Sequence, residues 1–177
     1  MMDKILVIYF SHAGENYNVG TVEVGNTELL AKEIVAKTGA DEFKIEPKDK
    51  YPLSYQEAIE RAADEQKVGA RPEYVGDVDI AGYDTIFLGY PIWWEDLPMV
   101  VYSFVEKHDF SGKTVVPFNT HEGSGNAGTY ETLKSLMPGA ILKGDGFNMT
   151  GSMARTEEGI KKLDDWLKAY YGITKKN

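Results

Sequence analysis

Apolar residues along this chain follow two alternating patterns. Short unbroken runs, such as Ile-Leu-Val-Ile-Tyr-Phe at residues 5–10, are typical of strands that are buried on both faces of a sheet. Between these runs, apolar residues recur every three or four positions, as Leu30 and Ile34 do, which indicates helices with one buried face. The patterns predict strands at residues 5–10, 41–46, 85–90, 113–119 and 140–147, and helices at residues 27–38, 54–68, 99–107, 128–136 and 156–170.

This alternation predicts an α/β fold. Parallel strands need crossover helices, and these helices cover both faces of the sheet. We therefore predict a three-layer, doubly wound, five-stranded parallel sheet. No linker or repeat interrupts the pattern, so residues 1–177 are predicted to form a single domain with a loose tail at residues 175–177. Gly144 and Gly146 predict a bulge or kink in the last strand.

Composition and charge narrow the class of protein. The chain has 177 residues, enough for one sizeable core, and no cysteine, which excludes disulfides, thiolate nucleophiles and cysteine-ligated metal sites. The net charge of −9 argues against nucleic acid or an anionic membrane as a partner. It suits a basic surface on another protein, but such acidity is also ordinary for a bacterial-type protein without such a partner. No apolar run approaches the ~20 residues that span a bilayer, and the first residues do not resemble a signal peptide. We therefore expect a cytoplasmic protein.

Three long segments leave the carboxyl ends of strongly buried strands. They cover residues 11–27, 91–98 and 120–126. Connections between strands and helices usually have about two to six residues, so these segments are unusual. In an open α/β sheet the carboxyl ends of the strands meet where ligands bind. The sequence therefore predicts a ligand site at this edge.

The first segment is suited to a phosphate. The strand ends at Ser11, and Asn26 and Thr27 open a helix whose N–H groups and dipole favour an anion. No lysine or arginine lies between Ser11 and Ala31, so we expect hydroxyls, amides and the dipole to bind the phosphate without an ion pair. Neither a Gly-Lys-Ser/Thr cradle nor a Gly-x-Gly-x-x-Gly turn is present, which favours one terminal phosphate.

The other two segments are suited to a planar ring. Trp93 and Trp94 lie between two prolines, and we expect at least one indole to face solvent or a flat ligand; the alternative is that both cover the end of the sheet. The glycine-rich third segment allows backbone amides to approach the rim of a heterocycle. Its His121 has either a packing or a catalytic role, whereas His12 in the first segment would orient the ligand or the loop.

Together these pieces resemble the flavodoxin family. The matching stretches are Tyr-Phe-Ser at residues 9–11, Gly-Asn-Thr at 25–27, Gly-Tyr-Pro-Ile-Trp-Trp at 89–94 and Asn-Thr-His-Glu-Gly-Ser-Gly at 119–125. The resemblance implies strand order 2-1-3-4-5 and FMN at the carboxyl edge. It implies that the phosphate is held by Ser11, Asn26 and Thr27, that the ring is flanked by Pro91, Ile92, Trp93 and Trp94, and that the far rim is lined by Thr120, His121, Glu122, Gly123, Ser124 and Gly125.

One insertion departs from the usual short phosphate loop. Residues 15–24 resemble a subgroup of bacterial flavodoxin-like proteins that is linked by similarity to quinone reduction. The insertion would form a flap over the phosphate or the flavin, or a dimer contact, so we expect a monomer or a homodimer. It makes Asn16 and Tyr17, together with His12, neighbours of the ligand. Residues 92–97 contain no glycine, which argues against a rotating glycine peptide beside the ring.

Two functions remain after this comparison. The first is a low-potential electron carrier that serves redox partner proteins, because the neighbouring carboxylates of Glu95, Asp96 and Glu122 disfavour a negatively charged reduced flavin. The alternative is an NAD(P)H-dependent quinone or nitro reductase with a small quinone-type acceptor. A phosphoacceptor domain is disfavoured because the strand ends lack carboxylates, and a serine hydrolase because Ser11 has no Gly-x-Ser-x-Gly context.

Overall fold

A parallel sheet with helices on both faces forms the centre of the molecule. The computed structural model describes residues 4–171, so the predicted tail at residues 175–177 lies outside the described part. The strands are β1 (Ile5–Tyr9), β2 (Gly14–Asn16), β3 (Gly20–Val22), β4 (Asp41–Lys44), β5 (Thr85–Pro91), β6 (Thr114–His121), β7 (Ile141–Leu142) and β8 (Phe147–Thr150). The helices are α1 (Asn26–Thr38), α2 (Tyr55–Val68), α3 (Met99–Lys107), α4 (Thr129–Leu136) and α5 (Glu157–Tyr171), with a short 3₁₀ turn over Met153–Arg155.

The strand order confirms the predicted topology. It runs β4-β1-β5-β6, and β7 and β8 both pair with the outer side of β6; every pair in this sheet is parallel. With β7 and β8 counted as one interrupted strand, this is the predicted order 2-1-3-4-5. Successive strand residues point to opposite faces. Leu6 and Ile8 therefore pack in the cluster that contains the buried residues of α3, while Val7 and Tyr9 pack with those of α1 and α5.

The fifth strand is divided into two pieces. We predicted one strand at residues 140–147 with a bulge, but β7 pairs with Thr114 and Val115, and β8 pairs with residues 118–121. The break lies opposite Pro117, which has no N–H group to donate to a neighbouring strand. Gly144 and Gly146 turn the chain there with φ of 64° and 67°. The predicted end at residue 147 is therefore wrong, since β8 continues to Thr150.

The insertion folds into a small β-hairpin. β2 and β3 pair antiparallel, and Asn18 in the turn has a left-handed φ of 59°. The Glu15 backbone N–H donates to the carbonyl of Leu53 at 2.7 Å, and the Glu15 carboxylate accepts from the N–H of Tyr55 at 2.8 Å. These bonds fix the hairpin against the start of α2.

Among residues 4–171, no helix combines the length and the apolar character that crossing a membrane requires.

Candidate functional site

A cleft of about 340 Å³ lies at the carboxyl edge of β1, β5 and β6. All three predicted segments contribute to its walls. Of the residues singled out from the sequence, those that line it are His12, Asn16, Tyr17, Asn26, Pro91, Ile92, Trp93, Trp94, Thr120, His121, Glu122 and Ser124. The remaining four, Ser11, Thr27, Gly123 and Gly125, do not line this cleft. Each of these four residues makes a hydrogen bond that supports a neighbouring part of the site.

The start of α1 presents free hydrogen-bond donors. Ser11 lies behind it, and its hydroxyl accepts from the backbone N–H of Glu28 at 3.0 Å. The Thr27 hydroxyl is likewise engaged, at 2.8 Å from that of Thr120. Within the described residues, the backbone N–H groups of Asn26 and Thr27 have no acceptor, as expected at the first turn of a helix. Together with the helix dipole, these donors favour an anion.

Gly25 brings two chain segments into close contact just before α1. A Cβ atom at this position would overlap the Ser11 hydroxyl and lie 2.6 Å from the carbonyl oxygen of His12. No side chain fits in this space. The absence of a side chain at residue 25 therefore determines how closely the end of β1 approaches the start of α1.

The guanidinium of Arg155, which is distant in the sequence, lies next to the start of α1. The Nε of Arg155 donates to Oδ1 of Asn26 at 2.9 Å, and another guanidinium nitrogen donates to the carbonyl of Val24. Residues 11–31 contain no lysine or arginine, but the fold brings this guanidinium next to the start of α1; the binding of a phosphate without an ion pair stays a prediction. No local signal in the sequence identifies Arg155, because the contact depends on the path of the chain after β8.

The two adjacent tryptophans have different environments. Trp93 packs edge-on against Phe10 at 5.2 Å and Tyr51 at 4.8 Å between ring centroids. Trp94 is 52% exposed, and its indole N–H donates to the carbonyl of Ile59 at 2.8 Å. One ring thus packs against the core while the other presents an exposed face in the cleft wall, as the first of the two alternatives predicts.

The turn that carries Trp94 has an unusual backbone. Trp93 and Asp96 exchange two backbone hydrogen bonds around Trp94 and Glu95, which have φ of 51° and 58°. Left-handed residues are normal in such a two-residue turn, but the favoured residues are Asn and Gly. The side-chain amide of Gln66 donates to the Trp94 carbonyl at 3.1 Å, which fixes the turn on α2.

The two histidines of the cleft hold loops in place. His12 Nε2 lies 2.8 Å from the carbonyl oxygen of Pro52, which requires a protonated Nε2, and burial lowers the pKa of His12. His121 Nδ1 accepts from the N–H of Gly123 at 2.9 Å, and its Nε2 lies 3.0 Å from Oδ1 of Asn148. Both ring nitrogens of His121 are thus engaged within the protein, which supports the packing alternative over the catalytic one.

Glu122 has a buried carboxylate oxygen without a partner. Within the described part of the chain, its Oε1 has no hydrogen-bond donor. A Cβ at the neighbouring Gly151 would overlap Nδ2 of Asn26 and lie 2.7 Å from this oxygen. Buried polar atoms in native proteins are nearly always hydrogen-bonded. The unpaired oxygen in the cleft wall therefore fits a polyhydroxylated or N–H-bearing ligand.

Sequence reasoning missed one wall of the cleft. The missed lining residues are Glu15, Tyr55, Ala58, Ile59 and Ala62, whereas Glu95, predicted as a neighbouring carboxylate, also lines the cleft. Four of them lie on α2 at spacings of three, four and seven residues, a helical stripe that is visible in the sequence. The sequence does not show that this stripe of α2 faces the cleft. The Tyr17 ring on the hairpin stacks on Tyr55 with centroids 5.8 Å apart, which extends this wall.

No group of three or more metal-ligating side chains occurs among residues 4–171.

Comparison with known proteins agrees with this architecture. The sequence pattern of the flavodoxin family matches residues 4–169. A candidate flavoprotein from Bacteroides eggerthii is 32% identical, over 96% of this chain and 98% of its own, with a TM-score of 0.73. Another from Bacteroides uniformis is 29% identical, over 95% of this chain and 99% of its own, with a TM-score of 0.74.

A more distant solved structure shares the fold. It is a flavoprotein from Lactobacillus acidophilus in complex with FMN, 16% identical over 96% of this chain and 99% of its own, with a TM-score of 0.66. Among curated proteins, no sequence matches this chain. The family match covers nearly every described residue and includes all three loops of the cleft, and we conclude that this chain belongs to the flavodoxin family.

Proposed function

We propose that this protein binds FMN in the cleft and acts as a low-potential electron carrier. Three features support FMN as the ligand. Free donors at the start of α1 suit its phosphate, the exposed indole of Trp94 suits its ring, and the unpaired oxygen of Glu122 suits a hydroxyl or N–H between them. FMN supplies one- and two-electron chemistry when bound, and the protein supplies position and electrostatics.

The charge of the cleft wall carries the proposal of a carrier. Its lining includes the carboxylates of Glu15, Glu95 and Glu122, and within the described residues it includes no lysine or arginine. Negative charge close to the ring raises the energy of an anionic reduced flavin. The second electron is therefore harder to add than the first, which is the property of a one-electron carrier.

A reductive titration of the FMN-loaded protein tests this proposal. We expect two separate one-electron steps, with the second at the lower potential. Replacing Glu95 with glutamine removes one negative charge and is expected to raise that second potential. The turn at Trp94 and Glu95 can keep its backbone conformation in this variant, because glutamine and glutamate side chains have the same shape. A single two-electron step in the wild-type protein would contradict the carrier function.

The aromatic wall favours a second candidate, an FMN-dependent NAD(P)H quinone or nitro reductase. Tyr55 and Ile59 extend the cleft beyond the three loops, and Tyr17 stacks on Tyr55, which offers an apolar surface to a planar acceptor. Anaerobic mixing of FMN-loaded protein with NADPH or NADH separates the two functions. A carrier is expected to keep its colour until a separate reductase is added, whereas rapid bleaching would establish the reductase.

Partners are proposed on the same basis. The carrier would exchange electrons with redox proteins that present a basic surface, since the chain has a net charge of −9. The reductase would act on a small quinone-type acceptor. Either function is compatible with a monomer or a homodimer in the cytoplasm.

A further inference from the structure

We infer that Arg155 is a positioning residue for the FMN phosphate, acting through the side chain of Asn26, and that it makes the protein select FMN over riboflavin. This inference rests on the proposed binding of FMN. It concerns a residue outside the three loops, on the 3₁₀ turn that follows β8.

The first step of the argument is the orientation of the Asn26 amide. Because Arg155 has only donors, its Nε at 2.9 Å requires the oxygen of the Asn26 amide to face it. The amide nitrogen, Nδ2, must then point away from Arg155. It points to the side where Gly151 leaves room, since a Cβ at residue 151 would overlap it.

The second step is that this nitrogen has no partner. Asn26 is 8% exposed and lines the cleft, yet among residues 4–171 nothing accepts a hydrogen bond from its Nδ2. Three free donors, this Nδ2 and the backbone N–H groups of Asn26 and Thr27, thus lie at the first turn of a 13-residue helix. An anion in the cleft would satisfy them.

The third step is charge. Among the described residues, no carboxylate lies within 4 Å of the Arg155 guanidinium, unlike Arg61 and Arg71, which pair with Glu65 and Glu106. Burial lowers the pKa of Arg155, and no neighbouring carboxylate offsets this effect. An uncompensated guanidinium next to a helix N-terminus adds to the positive potential there.

The fourth step is the fixed backbone. A second guanidinium nitrogen of Arg155 donates to the carbonyl of Val24, two residues before α1. The same side chain therefore fixes both the Asn26 amide and the chain that enters the helix. Lysine has one point-like ammonium group and cannot reproduce this planar fork.

Binding of FMN and of riboflavin, measured by flavin fluorescence, tests the inference. Riboflavin has the same ring and ribityl chain but no phosphate. We expect Arg155→Met to raise the dissociation constant for FMN roughly 10- to 30-fold, and to change that for riboflavin less than about twofold. Lys161→Met is the matched control, because it removes one positive charge from an exposed pair with Asp165 on α5. It is expected to change neither constant.

The outcomes separate the inference from the proposed function. If the wild-type protein binds neither flavin, the proposed function fails and the inference fails with it. If FMN binds and Arg155→Met weakens both flavins equally, or neither, the function stands and the inference is overturned. Arg155→Lys keeps the charge but loses the fork, and we expect it to remain at least threefold weaker for FMN alone. Full recovery by lysine would overturn the positioning role, and this variant decides the question if the methionine variant does not fold.

Discussion

Replacing Gly25 with alanine is expected to weaken FMN binding about 100-fold, because losing a hydrogen bond to the charged phosphate costs about 1.5–3 kcal/mol and each ~1.4 kcal/mol is tenfold in affinity. The backbone at Gly25, with φ −67° and ψ 162°, is open to alanine, so the effect does not come from strain in the residue itself. It comes from the new methyl group, which would overlap the Ser11 hydroxyl and lie 2.6 Å from the His12 carbonyl oxygen. The start of α1 must then move away from the end of β1, and the free N–H groups of its first turn move with it.

A fluorescence titration with FMN, together with a thermal melt of the protein alone, measures this effect. The control is Gly82→Ala, because a Cβ at Gly82 meets only the end of the Lys4 side chain, at 3.9 Å. We expect this control to bind FMN like the wild type. An affinity of Gly25→Ala within threefold of the wild type would show that the close approach of the two segments is not needed for the phosphate.

Replacing Gly89 with alanine is expected to destabilise the protein by about 3 kcal/mol, the upper part of the range for overpacked cores. Gly89 lies in the middle of β5, paired with Tyr9 on one side and Phe118 on the other. The Phe118 ring is completely buried and lies over Gly89, so that a Cβ would overlap its outer carbons. The neighbouring strands prevent the sheet from moving aside.

Urea unfolding at constant pH measures the loss, which corresponds to a fall in melting temperature of about 6–12 °C for a chain of this size. Phe118→Leu shortens the side chain that occupies the space. In the double variant we expect Gly89→Ala to cost about 1 kcal/mol less than it does alone, since residues in contact couple by roughly 0.5–3 kcal/mol. Strictly additive losses in the double variant would exclude the overlap as the cause. Gly82→Ala again serves as the control.

Local patterns were sufficient to predict the sheet and the edge at which the cleft lies. The unbroken run at residues 5–10 and its counterparts at 85–90 and 113–119 are buried on both faces because they are the inner strands. Their apolar composition can be recognised in the sequence without knowing which distant residues they contact. The three long loops follow from where these strands end, and parallel topology brings those ends together.

What the sequence did not predict depends on contacts between distant segments. Arg155 reaches Asn26 across 129 positions, and Gln66 fixes the Trp94 turn from another helix. The hairpin of residues 14–22 has too few apolar residues to show a strand pattern, and it is ordered by bonds to residues 53 and 55. The break in the fifth strand could be predicted only in part. The sequence shows that β6 contains Pro117, but it does not show which residues of the fifth strand lie opposite that proline.

The interrupted fifth strand also makes the chain divisible. Residues 144–146 separate β7 from β8, so a cut between them would interrupt neither strand. The C-terminal fragment would then bring Gly151 and Arg155 to a cleft that is built by the N-terminal fragment. Every residue that lines the cleft lies in the first fragment, and the second fragment supplies β8, which pairs with β6, and the Arg155 that holds Asn26. If the pieces were fused to two proteins of interest, their reassembly would be reported by the yellow colour of captured FMN, which gives a visible complementation assay.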